Sequence, residues 1–381
     1  MLKYSIVMPC LNEELTLAGC IDDANIGATK SGSEIEIIIA DNGSTDRSIE
    51  IASAKGCKVV IVHTKGYGAA LDSGIRAASN SFVVMGDSDL SYDFQDAPRF
   101  AQELDYGADI VIGNRFAGGI HPGAMPWHHR YIGNPVLSFI GRVFFSIPIR
   151  DFHCGLRAVR KEKYLEANPQ TTGMEFATEM IARFANSGAK FIEIPTQLRK
   201  DGRDRKPHLR SFPDGWRHLK MMLLFSPQYF QLLPGLILSI FGLFGLTSFA
   251  LFGKVNLVFA TGSLQTALFS TVFFTVGIQL ISASFVTMAY AKSKNVVRFN
   301  PWNSIERIVT SKTFLAFSIT ISLISLISLI GIGGLWLGAN FPSVDPFSES
   351  RRTIPLVSLL IAGVQGLMCA VQTRQILSKF W

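Results

Sequence analysis

Short apolar runs separated by polar turns fill the first part of the chain, and long uncharged runs fill the rest. Residues 4–8, 36–40, 57–63, 82–85, 110–113 and 190–194 read as strands. Between them lie helical stretches. One reaches Lys30, one runs to Lys55 with Ser44 as its N-cap, and one opens at Lys65-Gly66-Tyr67-Gly68 and runs to Ala78. Two more cover residues 97–106 and 174–187. The alternation predicts an α/β domain with a Rossmann-like, mostly parallel, doubly wound sheet. Such sheets bind ligands beyond the carboxyl ends of their strands. Residues 9–13, 41–46 and 87–89 all fall at such ends, so one shared site is expected there.

The alternation fails over residues 116–151, which hold Gly118-Gly119, Pro122-Gly123, Pro126 and His128-His129-Arg130. Residues 131–147 are amphipathic, and residues 151–157 read as a turn. The runs 229–252, 264–291, 313–337 and 354–371 carry no charge. A bilayer span takes about 20 apolar residues, so an α-helical membrane domain of four transmembrane helices is expected, the last over 354–374. The domains are then 1–210, a juxtamembrane segment 211–228, and 229–381. Two readings stand for the juxtamembrane segment: a helix in the headgroup plane, or a buried amphipathic helix. The connector between the second and third spans holds Lys292, Lys294, Arg298, Arg307 and Lys312. The outer connectors hold only Lys254, and Arg351 and Arg352 beside Asp345 and Glu349. This bias predicts a cytoplasmic catalytic domain and cytoplasmic termini.

The chemistry concentrates after residues 82–85. Gly86 is followed by two carboxylates at alternate positions, Asp87 and Asp89. An acidic pair at a sheet edge suits a hard cation such as Mg²⁺ or Mn²⁺, which takes oxygen ligands and shares substrate phosphates. The pair is therefore read as holding a metal on a nucleotide-sugar diphosphate, with a solvated turn as the competing reading.

A formal charge of +7 and a pI near 9.2 would suit nucleic acid, but with membrane spans present an anionic substrate and anionic lipid are the partners expected. The five cysteines are odd in number and form no CxxC, which argues against a zinc site or a disulfide framework and fits a reducing compartment. Met1-Leu2-Lys3 leads straight into a strand, so no signal peptide is read. No GxGxxG follows the first strand, which excludes a dinucleotide oxidoreductase.

At IVMPCLNEE, ADNGSTD, GDSD and GNRF the sequence resembles the family 2 GT-A glycosyltransferases. With RYIGN, DFHCGLR and a membrane half, it is most similar to the branch of dolichol-phosphate mannose synthase and bacterial polyprenyl-phosphate glycosyltransferases. The resemblance covers about residues 1–225. It implies an inverting transfer of one sugar from a UDP- or GDP-linked donor to a polyprenyl or dolichyl phosphate, with Mg²⁺ or Mn²⁺ as cofactor. It assigns Pro9, Leu11, Asn12, Glu13, Asp41, Asp87 and Ser88 to nucleotide-sugar binding. Arg203 and Lys206 fall where the family has a basic loop over the donor phosphates, a solvated basic face being the other reading. Asp87, Asp89 and Ser91 are the implied metal ligands. Ser91 stands where the family often carries Gln, so water and Asp93 remain alternatives for the third ligand.

Arg115 and Arg130 resemble family arginines that bind the phosphates, including that of the lipid acceptor. Asp89, Arg115, Arg130 and Asp151 form the expected catalytic set. For Asp151 three roles stay open: orienting Arg157, orienting an arginine of the phosphate site, or acting as a base. A homo-oligomer is also compatible. The rival readings are a family 2 transferase with another lipid or a polysaccharide acceptor, and an inactive membrane scaffold. A processive synthase would carry Gln-x-x-Arg-Trp, whereas here Arg217 follows Trp216 in the reverse order.

Overall fold

The computed structural model describes residues 1–204, 211–257, 260–262, 264–293, 302–338 and 345–377. The first unit begins β1 (Lys3–Cys10), α1 (Leu17–Ser31), β2 (Glu34–Asp41), α2 (Ser48–Ala54), β3 (Lys58–Ile61), α3 (Tyr67–Ala77) and β4 (Phe82–Met85). It continues α4 (Ala97–Asp105), β5 (Ile110–Asn114), α5 (Arg115–Gly118), α6 (Asn134–Phe145), β6 (Arg157–Arg160), α7 (Lys161–Ala167), α8 (Phe176–Asn186) and β7 (Phe191–Pro195), and α9 (Ser211–Phe225) follows. The seven strands form one sheet in the order β3-β2-β1-β4-β6-β5-β7. All pairings are parallel except those of β6, which runs antiparallel to both β4 and β5. The sheet is therefore mixed and mostly parallel.

Burial explains why the strands read as unbroken apolar runs. Ile6, Val7 and Met8 of β1, Val83 and Val84 of β4 and Ile110 to Ile112 of β5 are fully buried, as expected for strands covered on both faces. Each such side chain contributes about 1.5–3 kcal/mol by leaving water. The covering helices present narrow apolar faces, Leu17, Cys20, Ile21, Ala24 and Ala28 on α1 and Ala97, Phe100, Ala101 and Leu104 on α4.

Three local expectations are corrected. β3 is four residues long rather than seven, because only Lys58 to Ile61 pair with β2. The turn at 151–157 ends one residue early: Arg157 opens a strand not read from the sequence, and Arg157 to Arg160 fill the gap between β4 and β5. Ser44 does not cap α2. The helix starts at Ser48, where the Asp46 carboxylate accepts the Ser48 N–H at 3.0 Å and its hydroxyl at 2.6 Å.

The chain divides into the units Met1–Met222 and Leu223–Trp381. The second holds α10 (Leu233–Phe252), a small hairpin of β8 (Val255–Leu257) and β9 (Ala260–Gly262), α11 (Leu264–Ser293), α12 (Trp302–Val309), α13 (Lys312–Gly338) and α14 (Pro346–Ile376). Four helices, Gln228–Phe252, Leu264–Ser293, Lys312–Gly338 and Phe347–Ile376, are long and apolar enough to cross a membrane. Small residues let them approach. A Cβ on Gly277 of α11 would lie 2.5 Å from the Ser239 nitrogen of α10, a contact only glycine permits. α14 begins ahead of its apolar run because Asp345 accepts the Phe347 and Ser348 N–H groups at 3.2 and 3.0 Å. Arg351 then donates to the Ala250 and Leu251 carbonyls at 3.0 and 2.8 Å, which satisfies the carboxyl end of α10.

Candidate active site

Register brings the three expected loops together. β1 pairs with β2 at Cys10 and Asp41 and with β4 at Val7 and Met85, so all three strands end at one edge of the sheet. Their loops are tied there. The Asn12 N–H donates to the Ser44 hydroxyl at 2.9 Å, and the Asn12 side-chain Oδ1 accepts the Thr45 N–H at 2.7 Å. The Glu13 N–H donates to the Ser48 hydroxyl at 2.8 Å. The Ser88 hydroxyl donates to the Pro9 carbonyl, and the Thr16 hydroxyl to the Ser88 carbonyl, both at 2.7 Å. Asn12 takes a left-handed φ of 57°, a conformation its side chain tolerates better than most. Pro9, Asn12 and Ser88 thus act within the loop frame, and Leu11 lies between them, partly exposed. Asp41 is buried, and its carboxylate accepts the Gly43 N–H at 2.9 Å and the Ser44 N–H at 3.1 Å, closing the turn after β2.

The acidic pair follows β4. Asp87 is half-buried, with the Tyr67 hydroxyl acting on its carboxylate. Burial and the neighbouring Asp89 push its carboxyl up to about 6, against the pull of Arg203 and the Tyr67 hydroxyl. Burial and Asp87 in turn push the Tyr67 phenol well above its ordinary value. Asp89 is 5% exposed. Its Oδ1 accepts the Ser91 N–H at 3.0 Å across Leu90, which has a left-handed φ of 66°. Its Oδ2 receives Arg203 Nη1 at 2.8 Å.

Arg203 also grips Glu13, with Nε 2.9 and 3.0 Å from the two carboxylate oxygens and Nη2 2.7 Å from Oε1. Burial opposes the Arg203 charge, but Glu13, Asp89 and Asp87 raise its pKa above the usual value. The main chain of this segment is fixed as well: the Gly202 N–H donates to the Asp89 carbonyl and the Arg199 N–H to the Ser91 carbonyl, both at 2.9 Å. Lys206 lies outside the described residues.

The donor set can be tested for a metal. Among the described residues no group of three His, Cys, Asp or Glu side chains is placed to hold one. Of the alternatives for a third ligand, Asp93 is engaged elsewhere, accepting the Gln95 N–H at 3.0 Å and pairing with Arg199. Ser91 is buried beside Asp89. The protein therefore offers two carboxylates and leaves most of a coordination shell to phosphate oxygens and water. That shortage fits Mg²⁺ or Mn²⁺ on a diphosphate better than a metal caged by protein alone.

The phosphate-site expectation divides. Arg115, at the carboxyl end of β5, donates from Nε and Nη2 to Asp151 at 2.7 Å each, and its backbone N–H reaches the same carboxylate at 3.0 Å. The Arg115 side chain is 9% exposed and that of Asp151 0%. Burial disfavours the Arg115 charge, yet Asp151 holds its pKa well above the ordinary value. Asp151 thus orients Arg115. Arg157 instead donates to the carbonyls of Cys154, Ala177 and Phe152 at 2.7, 2.8 and 2.7 Å. Arg130 forms no ion pair among the described residues; it is half-buried with its guanidinium 5.5 Å from the Tyr131 ring. It is not brought onto Asp151, nor onto the acidic pair.

Residues that the motifs did not single out complete the frame. The turn at 151–157 presses on the acidic pair: a Cβ on Gly155 would lie 2.6 Å from Asp87 Oδ2, and the Gly155 N–H donates to the Tyr92 hydroxyl at 2.8 Å. His153 on the same turn packs its ring edge-on to His218 at 4.6 Å, and neither nitrogen of His153 has a partner among the described residues. Burial, His218, Arg115 and Arg157 hold His153 neutral, well below its ordinary pKa. His218 Nδ1 is 2.8 Å from the Thr178 hydroxyl. Gly155 and His153 lie inside the quoted DFHCGLR segment, whose glycine hints at a close approach; no local signal marks Tyr67 or His218.

Comparison with known proteins gives the chain a family. The family model for glycosyl transferase family 2 matches residues 5–166. The low-salt glycan biosynthesis hexosyltransferase Agl6 of Haloferax volcanii is 38% identical over 244 residues, 64% of this chain and 58% of the relative, so the aligned chain spans a little over half of that protein. An uncharacterized glycosyltransferase of Mycobacterium tuberculosis is 33% identical over 50% of this chain and 82% of the relative. A dolichyl-phosphate hexose transferase of Haloferax volcanii is 29% identical over 53% of this chain and 85% of the relative. Among solved structures, glucosyl-3-phosphoglycerate synthase from Mycobacterium tuberculosis, in complex with Mn²⁺, UDP and glucosyl-3-phosphoglycerate, matches with a TM-score of 0.47 and 22% identity over 58% of this chain and 79% of that one. The match to the family model and the relative covered over four-fifths of its length establish that the chain belongs to glycosyl transferase family 2.

Proposed function

We propose that the chain moves a single sugar, with inversion, from a UDP- or GDP-sugar to a polyprenyl or dolichyl phosphate in the membrane. The observation that carries this reading is the presence of both the acidic residues Asp87 and Asp89 after β4 and an arginine locked by Asp151, Arg115, after β5, in a chain with four membrane-length helices. A relative named dolichyl-phosphate hexose transferase supports the acceptor class. The basic connector between the second and third spans supports a cytoplasmic catalytic unit.

The acceptor phosphate is already an anion near neutral pH, so it needs positioning and charge compensation more than deprotonation. Asp151 is ill-suited to act as a base, because both its oxygens are taken by Arg115. Its role is to fix the guanidinium plane so that the remaining donors of Arg115 face a phosphate. Arg130, with no carboxylate partner among the described residues, is the second arginine for the lipid phosphate. Asp87 and Asp89 would hold Mg²⁺ or Mn²⁺, which would supply positive charge against the charge of the donor diphosphate. The loop frame of Pro9, Leu11, Asn12, Glu13, Asp41 and Ser88 receives the nucleoside.

The test is a donor screen. Full-length protein in detergent receives undecaprenyl or dolichyl phosphate, Mg²⁺ or Mn²⁺, and a panel of UDP- and GDP-sugars, and nucleoside diphosphate release is followed. Release that needs both the lipid phosphate and Asp89, and vanishes in Asp89→Ala, is the expected result. Release without lipid would point to hydrolysis or another acceptor, and donor binding without turnover on any lipid would favour the scaffold reading.

A further inference from the structure

Arg203 already engages one oxygen of the expected metal-binding pair. Its Nη1 lies 2.8 Å from Oδ2 of Asp89, the acid most directly expected to ligate the metal. The side chain is only 15% exposed, and those of Glu13 and Asp89 are 3% and 7% exposed. The three contacts to Glu13, at 2.7, 2.9 and 3.0 Å, use Nε and Nη2, whereas Nη1 meets Asp89 at 2.8 Å. The guanidinium is thus anchored on one carboxylate and leans on the other. Backbone hydrogen bonds from Arg199 and Gly202 to Ser91 and Asp89 fix the main chain on which it is carried.

We propose that Arg203 is an exchangeable counter-ion of Asp89, and that Glu13 is the anchor about which it exchanges. This rests on the reading above that Asp87 and Asp89 receive a metal with the donor diphosphate. In the nucleotide-free protein Nη1 neutralises Asp89. When cation and diphosphate arrive together, Nη1 gives up its contact with Asp89 and turns to the diphosphate, while Nε and Nη2 stay on Glu13.

A cation arriving alone must break a buried ion pair and leaves Nη1 without a partner, which is costly. A cation arriving with a diphosphate brings anionic oxygens for both the metal and the freed nitrogen. Metal binding therefore becomes conditional on nucleotide, and by linkage nucleotide binding is tightened by metal to the same extent. The arrangement gives Glu13 a role in addition to its place in the nucleoside frame: it positions Arg203.

The test measures Mn²⁺ binding to full-length protein in detergent, by the electron paramagnetic resonance of free Mn²⁺, without nucleotide and with saturating GDP or UDP. Wild type is expected to bind Mn²⁺ weakly alone and tightly with one of the two nucleotides. Arg203→Gln is expected to bind Mn²⁺ alone at least about tenfold more tightly than wild type, because a positive charge beside Asp89 is gone. With nucleotide present that advantage should disappear. Should Arg203→Gln fail to fold by its thermal transition, Arg203→Lys replaces it; the charge stays but the fork is lost, and an affinity between those of wild type and tenfold is expected. Asp89→Asn removes binding in every arm.

Unchanged Mn²⁺ affinity in the Arg203 variants, with normal nucleotide-dependent binding in wild type, would overturn the exchange and leave the proposed activity standing. Absence of Mn²⁺ binding in wild type with either nucleotide would overturn both.

Discussion

Two arginines near the same sheet edge are held in opposite ways. Arg115 commits two guanidinium nitrogens to one fully enclosed carboxylate, Asp151, and its own backbone N–H goes to the same group. Arg203 is spread over two carboxylates from different loops and keeps more exposure, 15% against 9%. The first arrangement is closed, since neither partner can leave without stranding a buried charge. The second is open, because one of its contacts can be exchanged while the rest hold. The comparison separates a part of the site that must not move from a part that can.

The largest effect is expected from breaking the closed pair. Asp151→Ala leaves the Arg115 guanidinium uncompensated, and a loss of about 3–5 kcal/mol in folding stability with complete loss of transfer is expected. Asp151→Asn keeps the shape and should fold, with turnover sharply reduced. Near-normal turnover in a well-folded Asp151→Asn protein would remove the pair from the site.

A smaller effect is expected where the closed and open parts touch. In Gly155→Ala the new methyl would meet Asp87 Oδ2 at 2.6 Å, so the carboxylate is displaced. Turnover is expected to fall about 10-fold or more, since small misplacements at a reacting centre are costly, while the thermal midpoint moves little. Equal losses of stability and turnover would mean that the turn is only packing.

The smallest effect concerns the histidines behind the closed pair. Burial and Arg157 lower His218 from 6.5 to about 4, and Asp214 only partly opposes them. His153 shifts in the same direction, with His218, Arg115, Arg157 and His129 around it. A histidine whose folded-state pKa is depressed stabilises the fold fully above its unfolded value. That stability is lost as pH falls from about 6.5 toward 4. Thermal unfolding should therefore shift down between pH 7 and pH 5. His218→Gln should flatten the shift without abolishing it, because His153 remains. An unchanged slope would contradict the assignment.

Much of this edge was legible in the sequence. Pro9, Asp41 and the Asp87 and Asp89 pair each interrupt an apolar run, and a parallel sheet gathers such interruptions at one end. The pairings that decide the roles were not legible. Arg203 meets Glu13 across 190 residues, and no local pattern encodes that meeting. Arg157 to Arg160 hide a strand because their two arginines obscure the apolar period; Arg157 is nonetheless buried, with its donors spent on carbonyls. The Ser44 cap failed because Asp46 and Ser48 form a tighter local turn, leaving Ser44 free to bind Asn12.

The most direct measurement is of the lipid product. Phosphorus NMR and mass spectrometry of the acceptor, after incubation with the active nucleotide-sugar and Mn²⁺, report what bond was made. Conversion of the lipid phosphomonoester to a phosphodiester carrying one hexose, absent with Asp89→Ala, is the predicted result. An unchanged phosphomonoester beside free sugar or a glycosylated hydroxyl would contradict it.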